Sequence, residues 1–399
     1  MAISAILAGA IFTPEKEIEN GVILIDGHRI VDVGPEHWLK IPAGASVVDH
    51  RNRIVAPGFI DLHTHGAAGH DFMEATPAAL SAIGVFLARH GTTSYVPTTV
   101  TASVAETLRA AAGLGEIVRA ARSPDHGTKA GEEPTAQPLG IYFEGPFLNV
   151  VRRGAHPAAE IKKPSVPMCK EFLDATGGTP VALALAPELD DELAVLKYAR
   201  GRGVRVGIGH SNATFEETER AIDSGATHAV HIYNAMRPFG HRDSGIIGAV
   251  LTDDRLSAEL ICDGLHVEPP AVRLLVRAKG LDRVILVTDS LSATGMPDGA
   301  YQLGQFNVHV VGGVCRTAEG NLAGSSITLQ QALRNLVKFT GQSFKDCLPC
   351  ATLNPARLLG LERQKGVIAA GADADLTILD GDYVVTGSCV RGRWVIPSA

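Results

Sequence analysis

The chain has 399 residues, of which 45% are hydrophobic and 20% charged, so it is long enough for a large core and a second, smaller domain. The formal net charge of -7 and the lack of a basic run argue against a nucleic-acid-binding surface. No apolar stretch approaches the length of a membrane span, which argues against a membrane protein.

The amino terminus and the cysteines bear on where the chain works. The segment MAISAILAGAIFTP lacks a positively charged start and runs directly into a strand-like pattern, which argues against a secretory signal. The six cysteines are scattered, and a chain of this size needs no disulfide framework, so we expect a cytoplasmic protein. Cys347 and Cys350 form a CxxC motif without a second pair, and we interpret them as packing residues.

Both ends of the chain have the pattern of short strands and turns. Residues 21–34 read as two strands joined by a turn at Asp26-Gly27, which is a strong hairpin signal. The carboxyl-terminal part repeats this pattern in three runs, at 374–380, 383–385 and 390–395. We therefore predict a small β-sandwich domain built from both termini, residues 1–53 together with residues 366–399.

Between these ends, strand-like and helix-like segments alternate regularly. Eight strands are predicted at 54–60, 93–98, 139–144, 181–186, 204–209, 226–231, 258–262 and 284–288. Helices are predicted at 77–90, 103–122, 190–200, 215–224, 270–279 and 327–339, and an exposed loop rich in glycine and proline at 123–138. This alternation predicts an α/β fold, a (β/α)8 TIM-type barrel over residues 54–365. A doubly wound open sheet is the alternative, but no GxGxxG motif follows the first strand.

The first of these strands ends in Asp61-Leu62-His63-Thr64-His65. Side chains alternate along an extended chain, so His63 and His65 point toward one shared position. Two imidazoles that converge at the end of a strand are typical ligands of a divalent metal such as zinc or iron. The alternative is a pair of polar residues where a strand leaves the core.

Further polar residues follow other predicted strands, at the end of a barrel where such folds carry their chemistry. They are Glu144, His210, His231, His266 and Asp289. Any one of them alone could be a buried polar group that is satisfied by hydrogen bonds. Together with the two histidines of the first strand, they predict a site for one or two divalent ions, with Glu144 able to bridge them.

Such a centre predicts metal-assisted hydrolysis, because a divalent ion lowers the pKa of bound water toward neutrality. Asp289 would take the proton from that water and later deliver it to the leaving group. His266 would polarise a carbonyl of the substrate.

The motifs around these residues resemble those of the amidohydrolase superfamily and, within it, the deacetylases of N-acetylglucosamine 6-phosphate. The HxH motif and the terminal aspartate are shared across the superfamily, whereas FEGPFLN, GHSNAT and YNAM are more specific to the deacetylases. The resemblance runs nearly end to end and is carried by PGFIDLHTHG (57–66), HGTTSYVPTT (90–99), FEGPFLN (143–149), GAHPA (154–158), GHSNAT (209–214), HIYNAMRPF (231–239), DGLHVEP (263–269), TDSLSATG (288–295) and LAGSSITL (322–329).

The resemblance implies a metal-dependent hydrolase that releases glucosamine 6-phosphate and acetate from N-acetyl-D-glucosamine 6-phosphate. It implies that Glu144, His210 and His231 hold the main metal ion. His63 and His65 match a second ion site that some members of the family have and others have lost.

The resemblance also implies the residues that act on the substrate. Asp289 matches the general acid and base, and His266 the histidine that polarises the carbonyl. The remaining substrate contacts are implied for His156, for the backbone of Asn234 and Ala235, and for an arginine that binds the phosphate, with Arg242 a better match than Arg237. The family is usually dimeric, with some phosphate contacts crossing the interface, so a homodimer is expected.

Two alternatives remain open on the sequence. The first is another amidohydrolase, such as an N-acetylgalactosamine-6-phosphate deacetylase or a dihydroorotase-like cyclic amidase, because two sugar epimers differ at one hydroxyl that the sequence does not reveal. The second is a barrel that has kept the fold as a binding or assembly module. A module of that kind should have lost metal ligands or the aspartate of the eighth strand, and this chain has kept all of them.

Overall fold

A computed structural model describes residues 3–123 and 133–395 of the chain. Most of the loop predicted at 123–138 falls on residues 124–132, which lie outside the described residues. Over the two described ranges, no helix is long and apolar enough to cross a membrane.

The chain begins with four strands, β1 (Ser4–Phe12), β2 (Glu17–Asp26), β3 (Arg29–Pro35) and β4 (Ser46–Pro57). The predicted hairpin is β2–β3, with Gly27 at a positive φ of 58° in its turn. Glycine adopts this backbone conformation without a steric penalty, which is why the turn falls there.

Parallel strands and helices then alternate, as predicted. The eight barrel strands are β5 (Phe59–Thr64), β8 (Thr92–Thr99), β10 (Ile141–Phe143), β11 (Pro180–Leu185), β12 (Arg205–Ile208), β13 (His228–Ala229), β14 (Ser257–Ile261) and β15 (Val284–Val287). The connections between them contain three further strands of two residues each, β6 (Gly66–Ala67), β7 (His70–Asp71) and β9 (Gln137–Pro138). The helices are α1 (Pro77–Arg89), α2 (Val104–Ala121), α3 (Val166–Ala175), α4 (Ala194–Gly201), α5 (Phe215–Asp223), α6 (Gly245–Thr252), α7 (Pro269–Lys279) and α8 (Leu329–Thr340).

The barrel strands pair in the order β5-β8-β10-β11-β12-β13-β14-β15. Hydrogen bonds between the ends of β5 and β15 join the two edges of this sheet: the Asp289 N–H donates to His63 O over 2.9 Å, and the His65 N–H donates to Ser290 O over 2.7 Å. All residues of β5 and β8 are buried, as expected for strands covered on both faces. The predicted (β/α)8 barrel is confirmed.

After β15 the chain forms a small sheet that the sequence pattern did not predict, β16 (Gly299–Leu303), β17 (Phe306–Val311) and β18 (Val314–Arg316). Helices α3 and α6 were also not predicted. α6 has the sequence GIIGAVLT, which is buried in seven of its eight positions, so it lacks the polar face that marks a helix in a sequence. α9 (Phe344–Cys347) and α10 (Leu353–Leu359) complete the helices.

The helix predicted at 190–200 begins later, at Ala194. The Asp190 carboxylate accepts hydrogen bonds from the N–H groups of Val195 and Leu196, at 3.0 and 2.9 Å. It therefore caps the first turn of α4, although it precedes the first residue of the helix by four positions. Glu192 and Leu193 have positive φ values of 54° and 53° and cannot belong to a helix. Short 3-10 turns lie at Phe72–Glu74, Val150–Arg152, Ala158–Glu160, Pro187–Leu189, Asp191–Leu193, Leu281–Arg283 and Leu348–Ala351.

The carboxyl-terminal strands are β19 (Leu376–Leu379), β20 (Val385–Val390) and β21 (Arg393–Val395). They join the amino-terminal strands in one seven-stranded sheet of order β21-β20-β19-β4-β1-β2-β3. The sheet curls, because the β2–β3 hairpin returns to the segment before β19: the Ile30 N–H donates to Ala372 O and the Ala374 N–H donates to His28 O. The predicted β-structure built from both termini is thereby confirmed, as one curled sheet with an apolar core inside it.

Candidate metal centre and active site

The predicted metal ligands stand at the carboxyl ends of the barrel strands. His63 and His65 lie at the end of β5, and Glu144, His210, His231 and Asp289 follow β10, β12, β13 and β15 within two residues. His210, His231 and Asp289 have positive φ values of 47°, 26° and 48°. Backbone strain of this kind persists where surrounding structure fixes it and clusters at functional sites.

The carboxylate of Glu144 lies at the centre of the cluster and is 3% exposed. Its Oε1 lies 2.9 Å from His231 Nε2, 3.1 Å from His210 Nε2 and 3.5 Å from His63 Nε2. Its Oε2 lies 3.0 Å from His65 Nε2 and 3.4 Å from His156 Nε2. One carboxylate therefore presents an oxygen to each of two groups of imidazoles.

The donor atoms of this cluster fit a divalent metal ion. His63, His65 and Glu144 offer ligand atoms within 4.8 Å of one another, and so do Glu144, His156 and His210. His63 Nε2 is buried without a hydrogen bond to any described residue. The Nε2 atoms of His210 and His231 lie only 3.0 Å apart, a close pairing of nitrogens that a shared cation satisfies. Imidazole nitrogen and carboxylate oxygen are ligands that suit zinc or iron.

The outer ring nitrogens of three of these histidines are held by acceptors. His65 Nδ1 lies 3.2 Å from Thr98 O, and His210 Nδ1 lies 2.9 Å from Arg152 O. His63 Nδ1 lies 3.0 Å from Glu259 Oε2. Since a carbonyl or carboxylate oxygen only accepts, Nδ1 donates in each case, which leaves Nε2 with a lone pair in the neutral ring.

The buried charges shift the pKa values of the cluster. Burial opposes ionisation of Glu144, but the imidazoles of His63 and His156 outweigh it and hold the pKa of that carboxyl well below its usual range. Burial lowers the pKa of His210 to about 4, because its hydrogen bond to Glu144 only partly offsets desolvation. The neighbouring carboxylates raise the pKa of His65 to about 9 and also raise the pKa of His231, so these two rings would release a proton when a metal binds.

Asp289 belongs to the same cluster and is 9% exposed. Its Oδ1 lies 3.2 Å from His65 Nε2 and 3.8 Å from His63 Nε2. Burial alone would raise the pKa of Asp289, but the hydrogen bond from His65 and the charge of His63 lower it. The geometry thus places a second carboxylate beside the HxH pair.

A cavity of about 180 Å³ opens onto the cluster. Among the residues expected to contact substrate, His156, Asn234, Ala235 and His266 line it. His266 Nδ1 lies 2.6 Å from Asp263 Oδ2, so Asp263 fixes the orientation of this ring. Arg242 is exposed and does not line the cavity, and Arg237 is bound to Asp243 over 2.7 Å.

Two buried or half-buried glutamates support the site and were not singled out from the sequence. Glu259 on β14 contacts His63, as described above. Glu188, after β11, accepts hydrogen bonds from Asn149 Nδ2, Ser211 Oγ and Asn212 N over 2.8, 2.7 and 2.5 Å. Glu188 follows an Ala-Pro pair at the end of a predicted strand, which is the kind of position that identified the metal ligands. That position was the signal by which the sequence could have indicated Glu188. Glu259 lies inside a strand, where no positional signal exists.

Comparisons with known proteins agree with this geometry. Residues 54–395 match the sequence profile of the amidohydrolase family. The chain is 38% identical over 352 residues to N-acetylgalactosamine-6-phosphate deacetylase of Escherichia coli O157:H7, covering 88% of this chain and 90% of that protein. It is 34% identical over 387 residues to N-acetylglucosamine-6-phosphate deacetylase of Bacillus subtilis, covering 96% of this chain and 95% of that protein.

A solved structure extends the likeness to three dimensions. A single-residue mutant of N-acetyl-D-glucosamine-6-phosphate deacetylase from Mycobacterium smegmatis, in complex with N-acetyl-D-glucosamine-6-phosphate, superposes with a TM-score of 0.89 at 36% identity. The superposition covers 99% of this chain and 100% of that one. Profile, sequence relatives and structure all span the barrel and its cluster of ligands, and the chain belongs to the amidohydrolase family.

Proposed function

We propose that the chain is a metal-dependent hydrolase that removes the acetyl group from N-acetyl-D-glucosamine 6-phosphate, giving glucosamine 6-phosphate and acetate. What carries the proposal is the buried carboxylate of Glu144, which is surrounded by imidazoles and lies beside Asp289 on the wall of a cavity. Likeness to deacetylases of amino-sugar phosphates over nearly the whole chain supports the substrate class.

Five side chains would hold one or two divalent ions, Zn²⁺ or Fe²⁺. Glu144, His210 and His231 would form the main site, and His63 and His65 would form a second site together with Glu144. When bound, such an ion supplies a Lewis acid for the amide carbonyl and lowers the pKa of water. Glu144 Oε1 faces His63, His210 and His231, and Oε2 faces His65, so this one carboxylate would serve the histidines of both sites.

In this mechanism Asp289 moves the proton. Its carboxylate accepts a proton from the attacking water and then delivers it to the nitrogen of the departing amine. Its Oδ1 lies 3.2 Å from His65 Nε2, so the carboxylate stands at the ligand cluster. His266 polarises the amide carbonyl from the cavity wall, with its ring fixed by Asp263, and His156 contacts the substrate beside Glu144.

We further propose a homodimer in which Arg242 binds the phosphate of a sugar held by the neighbouring subunit. Arg242 is exposed and lies outside the cavity of its own chain, which supports a role across an interface. Within one chain, Asn234 and Ala235 line the cavity, where their backbone would contact the sugar phosphate. Arg237 is the weaker candidate, because its guanidinium is already paired with Asp243.

We place the enzyme in the cytoplasm. Its six cysteines are all buried and unpaired, which is the usual state of thiols in a reducing compartment.

A second candidate substrate is N-acetyl-D-galactosamine 6-phosphate. The relative from Escherichia coli O157:H7, at 38% identity, carries the name of that activity. The two sugars differ at one hydroxyl, so the same ligands and the same proton transfer serve either of them.

Acetate release from a panel of N-acetylated sugars and their 6-phosphates tests the proposal. We expect the highest kcat/KM on N-acetyl-D-glucosamine 6-phosphate, with lower values on the galacto epimer and on unphosphorylated sugars. A higher kcat/KM on the galacto epimer would make N-acetyl-D-galactosamine 6-phosphate the preferred substrate. Failure to release acetate from every member of the panel, with metal bound, would overturn the deacetylase assignment.

A further inference from the structure

Glu259 is a fully buried carboxylate inside the barrel, at 0% exposure. Its Oε2 lies 3.0 Å from His63 Nδ1 and accepts the backbone N–H of His231 over 3.2 Å. Its Oε1 lies 3.3 Å from His228 Nε2, a nitrogen that also lies 3.0 Å from the Tyr142 hydroxyl. One side chain on β14 thus contacts one ligand from each of the two proposed ion sites.

His63 depends on this contact more than its neighbours depend on theirs. His65 and His210 are held through Nδ1 by backbone carbonyls, that of Thr98 on β8 and that of Arg152 in the loop after β10. His63 is held through Nδ1 by a side chain that carries a full charge. Because an ionised carboxylate only accepts hydrogen bonds, this contact sets the Nδ1–H tautomer and directs the Nε2 lone pair of His63 toward Glu144, 3.5 Å away.

We propose that Glu259 is a positioning residue that fixes the tautomer and orientation of His63 and thereby determines whether the second ion, between His63, His65 and Glu144, binds. The inference rests on the binuclear centre of the proposed function. In this proposal, one residue inside a strand determines whether the chain binds one ion or two. Its contact with His231 is to the backbone, so the main site keeps its side-chain ligands without Glu259.

Glu259→Gln tests this on the full-length protein, with zinc as the probe. The amide keeps the size of the side chain but not its charge. We expect the variant to retain one tightly bound zinc ion, while the dissociation constant of the second rises about ten- to hundredfold, the usual effect of losing an outer partner of a ligating histidine. Elemental analysis at fixed free zinc and competition with a chelator measure both ions, independently of activity.

Tyr142→Phe is the matched control. It removes the buried hydroxyl beside His228 but keeps the aromatic ring, whose centroid lies 5.0 Å from that of His63, and it leaves the Glu259–His63 pair in place. We expect its second ion to bind within about threefold of wild type, an effect smaller than the loss of a direct partner. Equal weakening of both ions in Glu259→Gln, or equal effects of the two variants, would show a general distortion of the barrel and overturn the proposal.

The tautomer itself is observable without a substitution at Glu259. In metal-free wild-type protein labelled with ¹⁵N-histidine, we expect a proton on Nδ1 of the ring whose signals disappear in His63→Gln. An unprotonated Nδ1 in that ring would overturn the inference even if Glu259→Gln failed to fold. So would a wild-type protein that never binds more than one ion. A protein that binds two ions and shows this tautomer, yet releases acetate from no sugar, would leave the inference standing and overturn only the deacetylase assignment.

Discussion

Asp289 is the side chain on which the proposed proton transfer depends most. Asparagine keeps its size and one oxygen but loses its basicity, so Asp289→Asn separates proton transfer from metal binding. We expect the variant to fold, to retain the ion at Glu144, His210 and His231, and to lose about two to four orders of magnitude in turnover, the usual contribution of a positioned acid or base.

Turnover and bound metal must be measured on the same sample of Asp289→Asn. Asp289 also lies 3.2 Å from His65, so a loss of the ion would point to a ligand role instead. Near-normal turnover with metal bound would contradict the assignment and move the proton transfer to His266.

Arg242 gives a test of phosphate recognition. Removing a charge-assisted contact of about 1.5–3 kcal/mol should lower kcat/KM on N-acetyl-D-glucosamine 6-phosphate by about one to two orders of magnitude in Arg242→Ala. The loss on unphosphorylated N-acetyl-D-glucosamine should be small, because that sugar lacks the charged group.

Arg237→Ala is the natural comparison for Arg242→Ala, since Arg237 stands five positions earlier in the same loop but is engaged by Asp243. We expect its losses to be similar on both sugars. A phosphate-specific loss in Arg237→Ala and not in Arg242→Ala would exchange the roles of the two arginines.

The loops after β10, β11 and β12 are tied together by Glu188, which accepts from Asn149, Ser211 and Asn212. The Asn149 N–H in turn donates to His210 O over 2.9 Å. Glu188→Ala should therefore disturb His210 and weaken zinc binding at the main site by about ten- to hundredfold, as the loss of outer contacts to a ligand usually does. Chelator competition measures this affinity.

Glu217→Ala serves as the control for Glu188→Ala. Glu217 belongs to the capping box of α5, where its Oε2 accepts the Thr214 N–H over 2.8 Å at the end of the same loop. We expect it to lower the free energy of unfolding by about 1 kcal/mol and to leave zinc affinity unchanged. Equal zinc affinities in the two variants would show that Glu188 does not act on the metal site.

The strand ends could be read from the sequence because an apolar run followed by a polar residue marks them. His63, Glu144, His210 and Asp289 were found in this way, and they do lie together. α6 was missed because it is buried on every side and has no amphipathic period. Glu259 was missed because its partner, His63, lies on a different strand, and the sequence does not indicate that the two side chains meet when the barrel forms.

The junction between the barrel and the seven-stranded sheet contains a buried lysine, Lys365, which is 4% exposed. Its Nζ lies 2.5 Å from Asp375, 2.8 Å from Asp373 and 2.6 Å from the Gln137 amide oxygen on β9. Lys365→Met would leave the buried Asp375 carboxylate without its cation and would leave Asp373 with only the half-exposed Arg29. We expect it to cost about 3–5 kcal/mol in the free energy of unfolding, measured by denaturant titration.

Arg29→Met gives the exposed counterpart of that change. Arg29 pairs with the same Asp373 over 2.8 Å, but its side chain is 41% exposed. A pair of this kind contributes at most about 1 kcal/mol, so the variant should remain close to wild type in stability. Similar losses in both variants would mean that burial does not decide the strength of these pairs.

We propose residues 1–53 with 366–399 as one domain and residues 54–365 as the other. The curled seven-stranded sheet supports this division, although β4 continues to Pro57 and carries the chain directly into the barrel. Lys365 stands at the proposed boundary and binds Gln137 of the barrel and Asp375 of the sheet, so the two parts are joined by a charged contact as well as by the chain.

The seven-stranded sheet has a consequence for the order of synthesis. β4 pairs with β1 on one side and with β19 on the other, and β19 leaves the ribosome only after the whole barrel. At ordinary translation rates the apolar edge at Ile54–Pro57 therefore waits on the order of tens of seconds for its partner. An unpaired strand edge can form hydrogen bonds with strands of other chains and so cause aggregation, and charged residues beside the edge oppose this pairing. We expect Arg51 and Arg53, just ahead of that edge, to protect the nascent chain during this interval.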